Sequence, residues 1–128
     1  MDARSTRLAK TDKRKLGAYG EQVIADYLIR SGSSIIDRNW RIKEGEIDLV
    51  ALSAEGIFHF VEVKTRTSLA FGHPLESVDR KKAHRLQRLA LAWLATHGHL
   101  GCEYQIDCAG VLIAQTGTPS VDYRSNVL

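Results

Sequence analysis

The 128-residue sequence has two cysteines, Cys102 and Cys108, too few for a disulfide framework. No apolar stretch approaches the roughly 18 residues that a membrane-spanning helix needs. The first seven residues, Met1-Asp2-Ala3-Arg4-Ser5-Thr6-Arg7, are charged and lack the apolar segment of a secretory signal. These absences lead to the expectation of a cytoplasmic protein with reduced thiols and no membrane partner. The sequence also lacks internal repeats, low-complexity tracts, a glycine-rich phosphate loop and a Ser/His/Asp arrangement.

What remains is globular in composition, 44% apolar and 26% charged, enough for one core without metal or disulfide staples. Residues 1–15 are polar and basic without apolar periodicity, and read as a flexible basic arm. Residues 16–128 read as a single domain. The net charge of +3 is uneven: residues 1–17 carry +4, 18–75 carry −2, 76–99 carry +3 and 100–128 carry −2. A polyanion would favour the basic segments and avoid the acidic middle unless a cation sat there. An unevenly charged, solvated surface gives the same pattern.

Leu16, Tyr19, Gly20, Val23, Ile24, Tyr27 and Leu28 recur at helical spacing, predicting a helix to about Arg30. Three strand-like runs follow at 34–41, 47–52 and 57–64, separated by the turns Glu44-Gly45 and Ala54-Glu55-Gly56. They predict an antiparallel meander, the last two strands covered on both faces. Residues 65–74 read as a loop. Residues 78–97 form the strongest amphipathic helix, with Ser77 as N-cap and Gly98 at its end. A fourth strand spans 103–114, and a short fifth lies near 121–123. The order predicts an α/β fold: a mixed sheet flanked by helices.

Asp48 interrupts the apolar run Ile47-Asp48-Leu49-Val50-Ala51, where a carboxylate must be paired, hydrogen-bonded, bound to metal or at a strand end reaching water. Phe58, Phe60, Glu62 and Lys64 share one strand face, so an acid and a base follow two aromatic residues. Glu62 and Lys64 are about 7 Å apart along a strand, wide for a direct ion pair and suited to a shared ligand. Fraying of the strand into solvent gives the same pattern. If the second and third strands pair, Asp48 can lie beside Glu62. With the Val63 carbonyl they would form an all-oxygen site suited to Mg²⁺ or Mn²⁺. Lys64 would face the anion held there. Glu21, on the apolar face of the first helix, is a fourth acid in need of a partner.

Gly20-Glu21, Gly45-Glu46-Ile47-Asp48-Leu49-Val50 and Phe60-Val61-Glu62-Val63-Lys64-Thr65-Arg66 resemble the PD-(D/E)xK nuclease superfamily. Within it the chain is most similar to the bacterial YraN-type family of endonuclease-like proteins, with archaeal Holliday-junction resolvases as more distant relatives. The resemblance includes Gly72-x-Pro74-x-Glu76-Ser77-Val78 and Ile106-Asp107, and departs from the pattern at Ile47, where the superfamily name places proline. It implies a restriction-endonuclease-like αβββαβ core. It implies Asp48 and Glu62 as metal ligands, Lys64 as the catalytic lysine and Glu21 as a helix-borne acid that helps position metal or water. Junction resolvases need two active sites, so that analogy implies a homodimer.

Lys81, Arg85 and Arg88 form one stripe on the second helix, which suits phosphate contacts as well as an ordinary solvated face. Arg66, just after Lys64, is a further phosphate candidate. The basic residues of the arm could add more on binding. Trp40, between Arg38 and Arg41, reads as core or as a base-stacking platform. His97, His99, Cys102 and Cys108 match no standard zinc spacing, and Cys108 reads as a small buried thiol. Asp107 reads as a structural pairing residue. Residues and resemblance together lead to two expectations. The first is a Mg²⁺- or Mn²⁺-dependent endonuclease that hydrolyses DNA phosphodiesters, selective for structure, including branched or single-stranded DNA, rather than sequence. The alternative is a nucleic-acid-binding module of nuclease fold with little or no activity alone.

Overall fold

The structure, a computed structural model, describes residues 10–67, 79–114 and 117–128. Its elements are α1 (Lys10–Arg30), β1 (Ser34–Ile42), β2 (Gly45–Leu52), β3 (Phe58–Arg66), α2 (Arg80–Thr96), β4 (Tyr104–Leu112) and β5 (Ser120–Arg124). They build a mixed five-stranded sheet in the order β1-β2-β3-β4-β5. Strands β1 to β3 are an antiparallel meander, β3 and β4 run parallel with α2 crossing between them, and β5 returns antiparallel. The α/β class, the mixed sheet and the flanking helices are those expected from the sequence.

The two apolar phases of the central strands have separate destinations. Leu49, Ala51, Val61, Ala109 and Val111 pack beneath Ile24, Ala25 and Leu28 of α1. Ile47, Val50, Phe58, Phe60 and Ile106 pack beneath Leu86, Leu89, Ala90, Trp93 and Leu94 of α2. The sheet is therefore covered on both faces, which is why its middle strands read as nearly continuous apolar runs.

Among the boundaries that differ from the sequence reading, three have a clear physical setting. α1 begins at Lys10, so residues 10–15 of the expected arm are helical; residues 1–9 lie outside the described residues. β3 continues through Thr65 and Arg66, which the sequence reading put in a loop, because β4 pairs with it as far as Arg66↔Leu112. The N-cap of α2 is Asp79, whose Oδ1 accepts the Lys82 N–H at 2.9 Å. Ser77, expected in that role, and the segment 72–78 lie outside the described residues.

Asp107 pairs structurally. It is fully buried and accepts hydrogen bonds from Gln105 Nε2 at 2.9 Å, His59 Nδ1 at 2.7 Å, the Asn126 backbone N–H at 2.9 Å and the Tyr123 hydroxyl. A buried carboxylate with four donors has its lone pairs satisfied. Burial, followed by the Asp107 charge, raises the Tyr123 hydroxyl well above the usual phenol range. The network ties β5 and the C-terminal residues onto β4, where the Val127 N–H also donates to the Ile106 carbonyl at 2.9 Å.

Gly20 sets the distance between α1 and β3. A Cβ at this position would fall inside the Thr65 side chain, overlapping its hydroxyl. The Thr65 Oγ1 is buried against the helix with no hydrogen-bond partner among the described residues. Gly20→Ala is therefore expected to lower stability in urea by about 1–3 kcal/mol, the usual range for overpacking, although alanine is the better helix former. Thr65→Ala in the same chain should recover part of that loss. Unchanged stability of Gly20→Ala would show that helix and strand can separate without cost.

Candidate active site

β1 and β2 change phase together. Arg38 pairs with Leu49 and Trp40 with Ile47, so Asn39 lies opposite Asp48. Asn39 has φ of 51°, a left-handed conformation that asparagine tolerates better than most residues. On β2, Ile47 packs toward α2 and Leu49 toward α1, although regular alternation would put both on one face. The break falls at Asp48.

The β2–β3 ladder ends at the same place. Its last backbone pair is Leu49↔Val61. Beyond it, the Asp48 carboxylate stands in for the missing strand: Oδ2 accepts the Val63 N–H at 2.8 Å. A strand residue directs its N–H and C=O to the same side, so the Val63 carbonyl faces this opening as well. The other Asp48 oxygen takes no hydrogen bond from a described residue.

Glu62 and Lys64 share the strand phase of Phe58 and Phe60, which pack under α2, and so lie on that face of the sheet. The Lys64 Nζ is 3.9 Å from Glu62 Oε1. Backbone spacing had suggested a wider gap, and the flexible lysine stem closes it. Glu21 reaches the cluster from α1, and its Oε1 accepts a hydrogen bond from Asn39 Nδ2 at 2.9 Å. Beside it, Arg38 Nη1 donates to Gln22 Oε1 at 2.8 Å, fixing β1 to the helix a second time.

The cluster is short of positive charge. Burial pushes the Asp48 carboxyl up to about 7; the Val63 N–H opposes this, and the charges of Glu21, Glu46 and Glu62 add to it. Glu21 is also raised, chiefly by burial and partly by Glu46, against the lowering effects of Asn39 and Arg38. Cys108 pairs with Glu62 across the β3–β4 ladder, and burial, then the Glu62 charge, push its thiol up to about 11.

Among the described residues, no group of three or more His, Cys, Asp and Glu side chains is gathered to hold a metal ion. Asp48, Glu62 and the Val63 carbonyl offer two carboxylates and one carbonyl. That set fits Mg²⁺ or Mn²⁺, which use one or two carboxylates and keep several waters or substrate phosphate oxygens.

The remaining sequence candidates are dispersed. Arg66 Nη1 donates to the Thr65 carbonyl at 3.1 Å. Lys81 is exposed on α2. Arg85 and Arg88 line a groove of about 360 Å³ with Ile42, Glu44, Leu89 and Ala92. Trp40 is half-buried against the α2-side core, edge-on to His97 with ring centres 6.1 Å apart, so it is a core residue rather than a stacking platform. His97 stacks on Trp93 at 4.1 Å and His99 lies 5.0 Å from Phe58. These histidines complete an aromatic cluster, and the zinc spacing has no counterpart among the described residues. Asn39 was missed by the sequence reading. The signal was present in Asp37-Arg38-Asn39, three polar residues interrupting a strand, the last of a type that accepts a positive φ.

The sheet and its carboxylate-bearing opening define an α/β domain with an acidic site at the end of a strand ladder. The chain belongs to the UPF0102 (YraN) family: residues 20–111 match the family described as "Uncharacterised protein family UPF0102". It is 48% identical over 115 residues to a UPF0102 protein of Beutenbergia cavernae, covering 90% of this chain and 97% of the relative. It is 47% identical over 112 residues to one of Clavibacter michiganensis subsp. michiganensis, covering 88% and 94%. Among solved structures it is similar to a repair endonuclease from Pyrococcus abyssi, with 19% identity and a TM-score of 0.41 over 76% of this chain and 36% of that one. No described helix is long and apolar enough to cross a membrane.

The Asp48 shift has a consequence for stability. The folded state holds the proton up to about pH 7, whereas an ordinary aspartate releases it near 3.8. The contribution is fully present below about pH 4 and lost as the pH rises through 7. The melting temperature of the wild type, measured against Asp48→Asn, should fall between pH 4 and 7 and level off above 8. A pH-independent difference would show that Asp48 is already ionised throughout that range.

Proposed function

We propose that this protein is a Mg²⁺- or Mn²⁺-dependent phosphodiesterase acting on DNA, a structure-selective endonuclease. The observation that carries this reading is the Asp48 carboxylate at the opened β2–β3 ladder, hydrogen-bonded to Val63 and electrostatically coupled to Glu62, which lies 3.9 Å from Lys64. Asp48, Glu62 and the Val63 carbonyl would hold the cation. When bound, it would supply Lewis-acid polarisation of the phosphate and a lowered pKa for water. Lys64, 3.9 Å from Glu62, would orient the attacking water and offset charge developing on the phosphate. Glu21, held by Asn39, positions the cluster from the helix side. Arg66, Lys81, Arg85 and Arg88 contact neighbouring phosphates, which fix register without reading sequence. The resolvase analogy adds a homodimer with two such sites. The cytoplasm, where both thiols stay reduced, is the compartment this reading implies.

The alternative is the same fold acting as a nucleic-acid-binding module with little or no activity alone.

A panel of branched, single-stranded and linear DNAs, incubated with Mg²⁺ or Mn²⁺ and with chelator, separates the two. The wild type should cut at least one substrate in a metal-dependent manner. Lys64→Ala should lose about 10²–10³ in rate while keeping most of its affinity, because one phosphate contact is a small part of a charge-driven interface. Undiminished cutting by Lys64→Ala would remove the lysine from the mechanism. Binding by wild type without cutting under any divalent ion would favour the module. Mn²⁺ should raise the melting temperature of wild type more than that of Asp48→Asn; equal shifts would put the cation elsewhere.

A further inference from the structure

The groove between α2 and the β1–β2 turn has a mixed lining that phosphate contacts alone do not explain. Arg85 and Arg88 stand on α2 above an apolar floor of Ile42, Leu89 and Ala92, with Glu44 at the turn. A surface that only tracked a duplex backbone would need the arginines, would gain nothing from the floor and would be opposed by the glutamate. The apolar face of a base can cover such an aliphatic floor and remove it from water, whatever the sequence. An acidic side chain beside the ring accepts from an exocyclic amine, as carboxylates do from cytosine N4. The volume of about 360 Å³ lies within the range of small-molecule sites.

We infer that this groove is a subsite for one unpaired nucleotide of the DNA, its base on Ile42, Leu89 and Ala92, its phosphate on Arg85 and Arg88, and its exocyclic amine toward Glu44. The inference rests on the endonuclease reading and gives it a source of structure selectivity. The position agrees. Leu89 abuts the start of β2, 3.1 Å from where a Cβ on Gly45 would stand. Asp48 follows three residues later, about 10 Å along the strand. Glu62 and Lys64 lie on this same face of the sheet. A nucleotide in the groove would sit within a few nucleotides of a phosphate held at the carboxylates. An already unpaired base enters at the least cost, because no stacking or pairing has to be broken first.

Binding is measured by fluorescence anisotropy in chelator, so that no cutting occurs, on three hairpin duplexes: fully paired, with one extrahelical dC, and with one extrahelical dT. The dC duplex should bind about tenfold more tightly than the paired one, the order of effect that burial of a small apolar patch gives. The dT duplex, which offers no exocyclic amine, should fall severalfold below dC. Ala92→Trp, which fills the groove, should bring the dC-to-paired ratio to about one, and Glu44→Gln should bring the dC-to-dT ratio to about one. Arg88→Glu, at an exposed position where folding is not at risk, should lose more affinity for the dC duplex than for the paired duplex. Equal binding of dC and paired duplexes by wild type, or equal losses in Arg88→Glu, would overturn the subsite. The same DNAs with Mn²⁺ separate this from the parent reading. Cutting without preference overturns the subsite alone. Preference without cutting overturns the endonuclease reading and retains the subsite.

Discussion

The site depends on one hydrogen bond that replaces another. Where β2 should continue its ladder along β3, the Val63 N–H instead reaches the Asp48 side chain. A strand can surrender backbone pairing in its interior only if another acceptor takes the donor. The aspartate is that acceptor, so it holds the two strands together at the point where they open. The carboxylate thereby has a structural duty and keeps a second oxygen that takes no hydrogen bond from a described residue. Its neighbours follow from this. The phase change at Asp48 is matched by the left-handed Asn39 on the adjoining strand, which turns its amide toward Glu21 on the helix.

Gly20 belongs to the same arrangement. The helix lies close to β3 because nothing projects from it there, and the following residue is the acid that meets Asn39. Elements from helix, edge strand and central strands thus converge on a cluster of like charge. Each like charge costs stability, and burial adds to the cost at Asp48 and Glu21. A fold that keeps such a cluster carries unfavourable electrostatics, and perturbed carboxylates of this kind concentrate at functional sites.

Much of this was legible from the residues. Helical periodicity located α1 and α2, and nearly continuous apolar runs located the central strands, because both sheet faces are covered. Asp48, Glu62 and Lys64 stood out because charge interrupts those phases. The phase break itself was not legible. Alternation arguments assume an unbroken strand, and on that assumption Asp48 takes a face and not the gap between strands. Asn39 was passed over for the same reason. The limit of β3 was set by pairing across to β4, which leaves no local pattern. Contacts such as Trp93 Nε1 donating to Asp37 Oδ2 at 2.9 Å join residues 56 positions apart and have no short-range signature.

The irregularity of β1 also bears on how copies of this chain can meet. β1 is an edge of the sheet, and its nine residues contain both the register shift between Ile35 and Asp37 and the left-handed Asn39. The opposite edge, β5, has five residues. Bulged or short edges make poor templates for another strand. The geometry that aims Glu21 and Asp48 therefore also blunts the sheet against edge-to-edge growth, and two copies would have to meet through helix faces or loops.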